Sequence, residues 1–222
     1  EFRRVLFRSH VAGLMKQAGA TGLLSVTPYY NKPTQEGLFQ HYRAIAESTP
    51  LPIVLYNVPG RTGVNIEPAT VRRLAAIPNI VGVKEASGNI GQMVDICGLV
   101  PRDFLVLSGD DALTLPLMSV GGHGVISVAS NEIPSEMVQM VEAAARGDFA
   151  SALAVHNRIL PLLQVNFVES NPGPVKAAMA MMGLCDGAFR LPMVPPRAES
   201  QAKIEKVLAS LGLLHETAPN VH

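Results

Sequence analysis

Five short apolar runs recur along this chain at intervals of roughly 20–30 residues: Leu23–Val26, Ile53–Tyr56, Ile80–Lys84, Phe104–Leu107 and Val125–Val128. Each breaks into small or turn-forming residues, and helical patterns fill the gaps. That rhythm is the signature of a parallel sheet built from βα units rather than of a solenoid. Parallel strands are buried on both faces, so they read as unbroken apolar runs. One of the five carries a cation. In Ile80-Val-Gly-Val-Lys84, residues 80, 82 and 84 are expected on one face, with Val81 and Val83 turned toward the helices. A charge at that place is costly. The plain alternative is a lysine escaping to solvent at a strand end. Gly82, one pleat below Lys84, is expected to leave room for the lysine stem.

A second run changes the balance. Pro52-Ile-Val-Leu-Tyr56-Asn-Val-Pro-Gly-Arg61 delivers a tyrosine at a strand end and an arginine just beyond it. In parallel α/β proteins functional groups gather at the carboxyl ends of strands, so Tyr56, Arg61 and Lys84 are expected to converge on one mouth. An amine, a phenol and a guanidinium suit Schiff-base chemistry on a keto acid. The amine attacks the carbonyl, the phenol moves protons and the guanidinium holds a carboxylate. Free lysine titrates near ~10.4, so a reactive amine at neutral pH calls for desolvation or a neighbouring cation.

Tyr56-Asn-Val-Pro-Gly-Arg-Thr-Gly63 and Gly82-Val-Lys-Glu-Ala-Ser-Gly-Asn89 resemble the signatures of the 4-hydroxy-tetrahydrodipicolinate synthase (dihydrodipicolinate synthase) family. Thr27-Pro-Tyr-Tyr-Asn-Lys-Pro-Thr-Gln-Glu-Gly37, Ser108-Gly-Asp-Asp111, Gly121-Gly-His-Gly-Val-Ile-Ser-Val128 and Asn171-Pro-Gly-Pro-Val-Lys176 fit the same family, in its order and spacing. The resemblance implies a lyase condensing pyruvate with aspartate semialdehyde, in diaminopimelate and lysine biosynthesis. It casts Lys84 as the imine-forming lysine and Tyr56 as proton donor and acceptor. Tyr30 becomes the relay tyrosine lent to a neighbouring subunit. Arg61 clamps the carboxylate of the second substrate, while Gly109 and Ile126 line the pocket mainly through backbone groups. It further implies no cofactor beyond the covalent imine between Lys84 and pyruvate, a homotetramer made of two tight dimers, and a cytoplasmic location. Related pyruvate aldolases acting on sialic or deoxy sugar acids share the lysine but lack an arginine at the position of Arg61. One element departs from the pattern: the Gly-Thr-Thr-Gly-Glu motif that holds the family's relay threonine occurs nowhere in the 222 residues.

The family's fold is an eight-stranded (β/α) barrel, and five strands are legible here. The expected architecture is therefore a TIM barrel lacking its first three strands, roughly 80 residues at this spacing, followed by a helical appendix. Residues 10–146 form the partial barrel in this reading and 147–222 the helical region and tail. Glu1–Ser9, basic and aromatic, is expected to be a leader foreign to the rest, a translated linker or adaptor. The alternative takes the five strands as a flavodoxin-like doubly wound binding module, although no glycine-rich phosphate loop follows any of them.

Composition narrows the partners. With 48% hydrophobic and 16% charged residues and a formal net charge of +0, the chain is suited neither to nucleic acid nor to a membrane surface. No apolar run approaches the ~18 residues of a membrane span. Cys97 and Cys185 lie far apart and are expected to be reduced core thiols in helices. Asp110-Asp111 has no further ligand at metal spacing and reads as helix N-terminal charge, and Gly121-Gly-His-Gly124 reads as a turn before a strand.

Overall fold

The computed structural model describes residues 2–214, with side chains from Ser9 onward. The elements run α1 (Phe2–Gln17), β1 (Leu23–Val26), α2 (Gln35–Glu47), β2 (Ile53–Asn57), α3 (Pro59–Thr62), α4 (Pro68–Leu74), β3 (Ile80–Glu85), α5 (Ile90–Leu99), β4 (Leu105–Ser108), α6 (Thr114–Ser119) and β5 (Gly124–Val125). Then come α7 (Pro134–Ala145), α8 (Phe149–Val165), α9 (Gly173–Met181) and α10 (Ala198–Ser210). Contacts divide the chain into two units, residues 1–126 and 127–222. The sequence pattern set the end of the barrel after 146, whereas α7 groups with the helices that follow it.

In the first unit the five strands are all parallel and lie in sequential order, β1-β2-β3-β4-β5. Helices α1, α2, α4, α5 and α6 each pack against the next, forming one layer. A doubly wound sheet would reverse its strand order at a switch point. This one never does, which removes the flavodoxin-like alternative.

The helix layer explains the buried pattern. Thr34 caps α2, its hydroxyl accepting from the Gly37 N–H at 3.2 Å. The stripe Leu38, Tyr42, Ile45 and Ala46 is buried as its spacing predicts. It meets Ile53, Leu55, Val83 and Val106 of the sheet and Val71, Leu74, Met93 and Ile96 of the helices in one core. Tyr42 satisfies its hydroxyl by donating to the Ser25 carbonyl at 3.1 Å.

Two strand expectations need correction. The ladder between β2 and β3 slips by one residue: Ile53 pairs with Ile80, but Val54 pairs with Gly82. Val81 is the extra residue, so Ile80 turns into the helix-side core rather than sharing a face with Lys84. The last strand, expected over Val125–Val128, is only Gly124–Val125, because the chain coils into a 3₁₀ turn over Ala129–Asn131.

The second unit is helical. Helix α7 packs on α8, and α10 packs on both α8 and α9. Asn166 donates to the buried carboxylate of Glu132 at 2.5 Å. Cys97 is half-buried on α5, but Cys185 is exposed beyond the end of α9, which corrects the reading of both as core thiols. No helix of the described residues is long and apolar enough to cross a membrane.

Gly82 proves to serve the sheet rather than the lysine. A Cβ there would stand 2.6 Å from the Leu105 carbonyl oxygen and 2.8 Å from the Leu105 Cβ. Gly82→Ala must therefore push β3 from β4, with an expected loss of about 1–3 kcal/mol. A lowered urea midpoint is the measurement, and an unchanged one would refute the close packing.

Candidate active site

After the slip at Val81 the strands run in phase to their tips. Val26 lies opposite Tyr56, Tyr56 opposite Lys84, and Lys84 opposite Leu107. Leu55 and Val83, one residue back, belong to the helix-side core, so Tyr56 and Lys84 share the other face of the sheet. There the Lys84 Nζ stands 4.3 Å from the centroid of the Tyr56 ring, a cation–π distance. Arg61 follows at once on α3, the single turn that caps β2.

Main-chain bonds beyond the regular ladder tie the strand tips together. The Thr27 N–H donates to the Tyr56 carbonyl at 3.1 Å, Ala86 to Asn57 at 2.8 Å, Gly109 to Glu85 at 2.7 Å and Ile126 to Ser108 at 2.9 Å. Gly109 is thereby held beside the lysine strand, and Ile126 beside β4, one strand further along. A Cβ on Gly109 would meet the Ala86 Cβ at 2.6 Å and the Lys84 Cε at 3.0 Å. Room for the lysine stem comes from the neighbouring strand, not from Gly82.

Burial is the main influence on Lys84 and lowers its pKa from the ordinary lysine value. The Asp111 carboxylate opposes that shift, and the Arg61 guanidinium adds to it. The sequence pattern assigns both Asp110 and Asp111 to helix N-terminal charge, yet the two adjacent acids divide their work. Asp110 caps the 3₁₀ turn by accepting from the Ala112 N–H at 3.0 Å. Asp111, 1% exposed, is left to act on the amine. The signal was present, since one acid suffices for a cap.

Tyr30 stands apart. It is 87% exposed, with φ at 77°, and the Asn31 N–H donates to the Tyr29 carbonyl at 3.1 Å across it. Tyr30 is the centre of a γ-turn of the strained, positive-φ kind. Lys176, at the other quoted motif, lies on α9 and donates to the Ala188 carbonyl. Among the described residues no group of three His, Cys, Asp or Glu could hold a metal ion.

A model of the dihydrodipicolinate synthetase family matches residues 9–211. The chain belongs to that family. It is 59% identical over 196 residues to the 4-hydroxy-tetrahydrodipicolinate synthase of Koribacter versatilis, covering 88% of this chain and 65% of the relative. To the same enzyme of Syntrophus aciditrophicus it is 53% identical over 198 residues, covering 89% and 68%. The chain thus spans about two thirds of the length of these curated relatives. Among solved structures, the dihydrodipicolinate synthase of Thermotoga maritima superposes with a TM-score of 0.91 at 46% identity, covering 93% of this chain and 71% of that one. That of Acinetobacter baumannii, solved in complex with pyruvate, gives 0.90 at 43%, covering 93% and 71%. The parallel α/β sheet is the family's barrel fold.

Two buried residues at the strand tips escaped the sequence reading, Asn57 and Glu85, both fully buried. Each directly follows a site residue, and the period of two predicts that such neighbours point to the helices. A polar residue on that face was the available signal.

The lowered Lys84 pKa sets a stability test. Between its folded pKa and the ordinary 10.5, the unfolded chain holds a proton that the folded chain has released, so wild-type stability rises with pH through that window. Lys84→Met lacks this dependence. It should be more stable than wild type at pH 7, with the difference shrinking as pH climbs toward 10.5. Urea midpoints of both proteins across that range are the check, and a pH-independent difference would refute the shift.

Proposed function

We propose that this chain supplies the imine-forming lysine, the proton-handling tyrosine and the carboxylate clamp of a 4-hydroxy-tetrahydrodipicolinate synthase, condensing pyruvate with L-aspartate 4-semialdehyde. The observation that carries this reading is the Lys84 amine, half-buried and set 4.3 Å from the Tyr56 ring centroid. As free amine, Nζ attacks the ketone carbon of pyruvate, and the carbinolamine expels its hydroxyl as water to leave an imine. Tyr56 gives and takes the protons of these steps. Loss of a methyl proton makes an enamine, whose carbon attacks the aldehyde of the second substrate. That substrate's own amine then closes the ring on the imine carbon and frees Lys84. The imine is itself the electron sink, so the scheme needs no cofactor. Arg61 offers a planar fork of N–H donors for the second substrate's carboxylate. The backbone N–H groups of Gly109 and Ile126 are spent on neighbouring strands, so any backbone contact they make to substrate runs through their carbonyl oxygens.

The five strands correspond, in this proposal, to strands 4–8 of the barrel, with the C-terminal helices as the appendix after it. Support comes from the edge of β1, which pairs only with β2 among the described residues. A cleft of about 390 Å³ lined by Val11, Ala12, Met15, Leu24 and Val26 runs beside it, and Leu24 and Leu105 are exposed on the face that carries Lys84. The longer relatives have chain available to cover these groups. Tyr30 is assigned to the site of a neighbouring copy in a cytoplasmic homotetramer. One solved relative is described as a monomeric variant.

The experiment extends this chain at its N-terminus with the corresponding segment of the Koribacter relative. Pyruvate followed by borohydride should fix an adduct on Lys84, and the extended protein should condense pyruvate with aspartate semialdehyde. Residues 1–222 alone should not reach ~1 s⁻¹, the low end of ordinary enzyme rates. Adduct on Lys176, or full turnover by the 222-residue chain, would overturn the proposal. In the extended protein Arg61→Ala should leave adduct formation intact. Loss of a charged hydrogen-bond partner is worth roughly 1.5–3 kcal/mol, so kcat/KM for the aldehyde should fall about ten- to a hundredfold. Equal loss in both partial reactions would assign Arg61 to folding instead.

A further inference from the structure

Behind the site, on the helix side of the sheet, lies a buried polar cluster that the chemistry above does not use. The Glu85 carboxylate accepts from Asn57 Nδ2 at 2.8 Å, from Gln92 Nε2 at 3.3 Å and from the Ser87 N–H at 2.8 Å. Asn57 Nδ2 also donates to Asn65 Oδ1 at 2.8 Å, and Asn57 Oδ1 accepts from the Ile66 N–H at 3.0 Å. Asn65 and Gln92 exchange amide bonds, at 2.8 Å from Asn65 Nδ2 to Gln92 Oε1 and 3.0 Å in return. Asn57 and Glu85 are fully buried and Gln92 is 8% exposed.

The donors around this carboxylate are all neutral amides. Desolvating a carboxylate costs several kcal/mol, and an apolar side chain of similar size often serves a core as well or better. The cluster is therefore a poor way to hold a fold. It is a good way to fix geometry, because its members stand on four separate segments. Glu85 follows Lys84 at the tip of β3, and Asn57 follows Tyr56 at the tip of β2. Asn65 and Ile66 close residues 58–66, the segment that bears Arg61. Gln92 anchors all of these to α5. The tips are where sheet pairing stops and the backbone would otherwise fray.

We propose that Asn57, Glu85 and Gln92 are positioning residues, which set the placement of Lys84, Tyr56 and Arg61 relative to one another from behind the sheet. This rests on the roles given above to those three side chains. Misplacement of reacting groups by 1 Å costs up to about a hundredfold in rate. The cluster ties each segment within one to five residues of its functional side chain, close enough to govern such a distance.

The primary test needs no substrate. Trace acetylation of the 222-residue chain across the pH range reports the titration of Lys84, with a short unstructured lysine peptide as reference. Wild-type Lys84 should titrate below the peptide. In Asn57→Ala and Glu85→Gln it should move toward the peptide, because the tips admit water and Arg61 shifts away, with helical circular dichroism retained. The exchange variant Glu85→Gln/Gln92→Glu keeps one carboxylate and one amide in the cluster and should recover most of the wild-type position. A merely structural role would lower the melting temperature without moving the lysine. In the extended protein, pyruvate trapping should fall about tenfold or more in the single variants and return in the exchange variant. Folded single variants with an unmoved Lys84 would overturn the proposal, as would a wild-type Lys84 that already titrates like the reference peptide. Unfolding of every variant, the exchange included, would also count against it, since it would make the cluster a folding element. If Lys84 moves as expected but pyruvate is trapped in no version, wild type included, the imine reading falls while the positioning role stands.

Discussion

Alternation along the strand governs where every functional group in this sheet ends up. Side chains point to opposite faces with a period of two, so a slip of one residue exchanges the faces for everything beyond it. The slip at Val81 does this once. Ile80 and Val83, three residues apart, both enter the helix-side core. From Gly82 onward β3 is in phase with β2, so amine meets phenol on one face and Glu85 meets Asn57 on the other. Site and cluster are the two sides of one ladder.

The lysine sits among opposed influences on its ionisation. Burial and Arg61 favour the neutral amine, while Asp111 favours the ammonium. Without the carboxylate, the charged form would be a half-buried cation beside another cation, a costly arrangement. The Arg61 cation, the smallest of the three influences, offsets part of what the carboxylate does. Arg61 thus bears on the ionisation of Lys84 whatever else it contacts.

Much of this was legible in the residues. The five runs located the strands, the spacing of Leu38, Tyr42, Ile45 and Ala46 located a buried helix face, and Tyr56, Arg61 and Lys84 read as one mouth because parallel strands end on one side. The parts that were missed share a cause. Periodicity counts residues and cannot see a register slip, so Ile80 was assigned to the wrong face. Gly82 was correctly seen as a place of close approach but given the wrong neighbour, because what approaches a glycine comes from another strand. Asp111 and Glu85 each sit beside a residue with an evident role, and adjacency in sequence concealed that they face other partners. The short β5 lost its last residues to a coil that no apolar pattern announces.

Tyr30 carries a different consequence. Between Pro28 and Pro33 the backbone holds it at φ 77°, in a turn that L-residues occupy at a cost of roughly 1–3 kcal/mol. That cost belongs to the folded chain and is met before anything meets the ring. With the backbone already placed, less main-chain freedom is left to lose on contact. In the role proposed for Tyr30, the strained turn means that main-chain order precedes contact rather than following it.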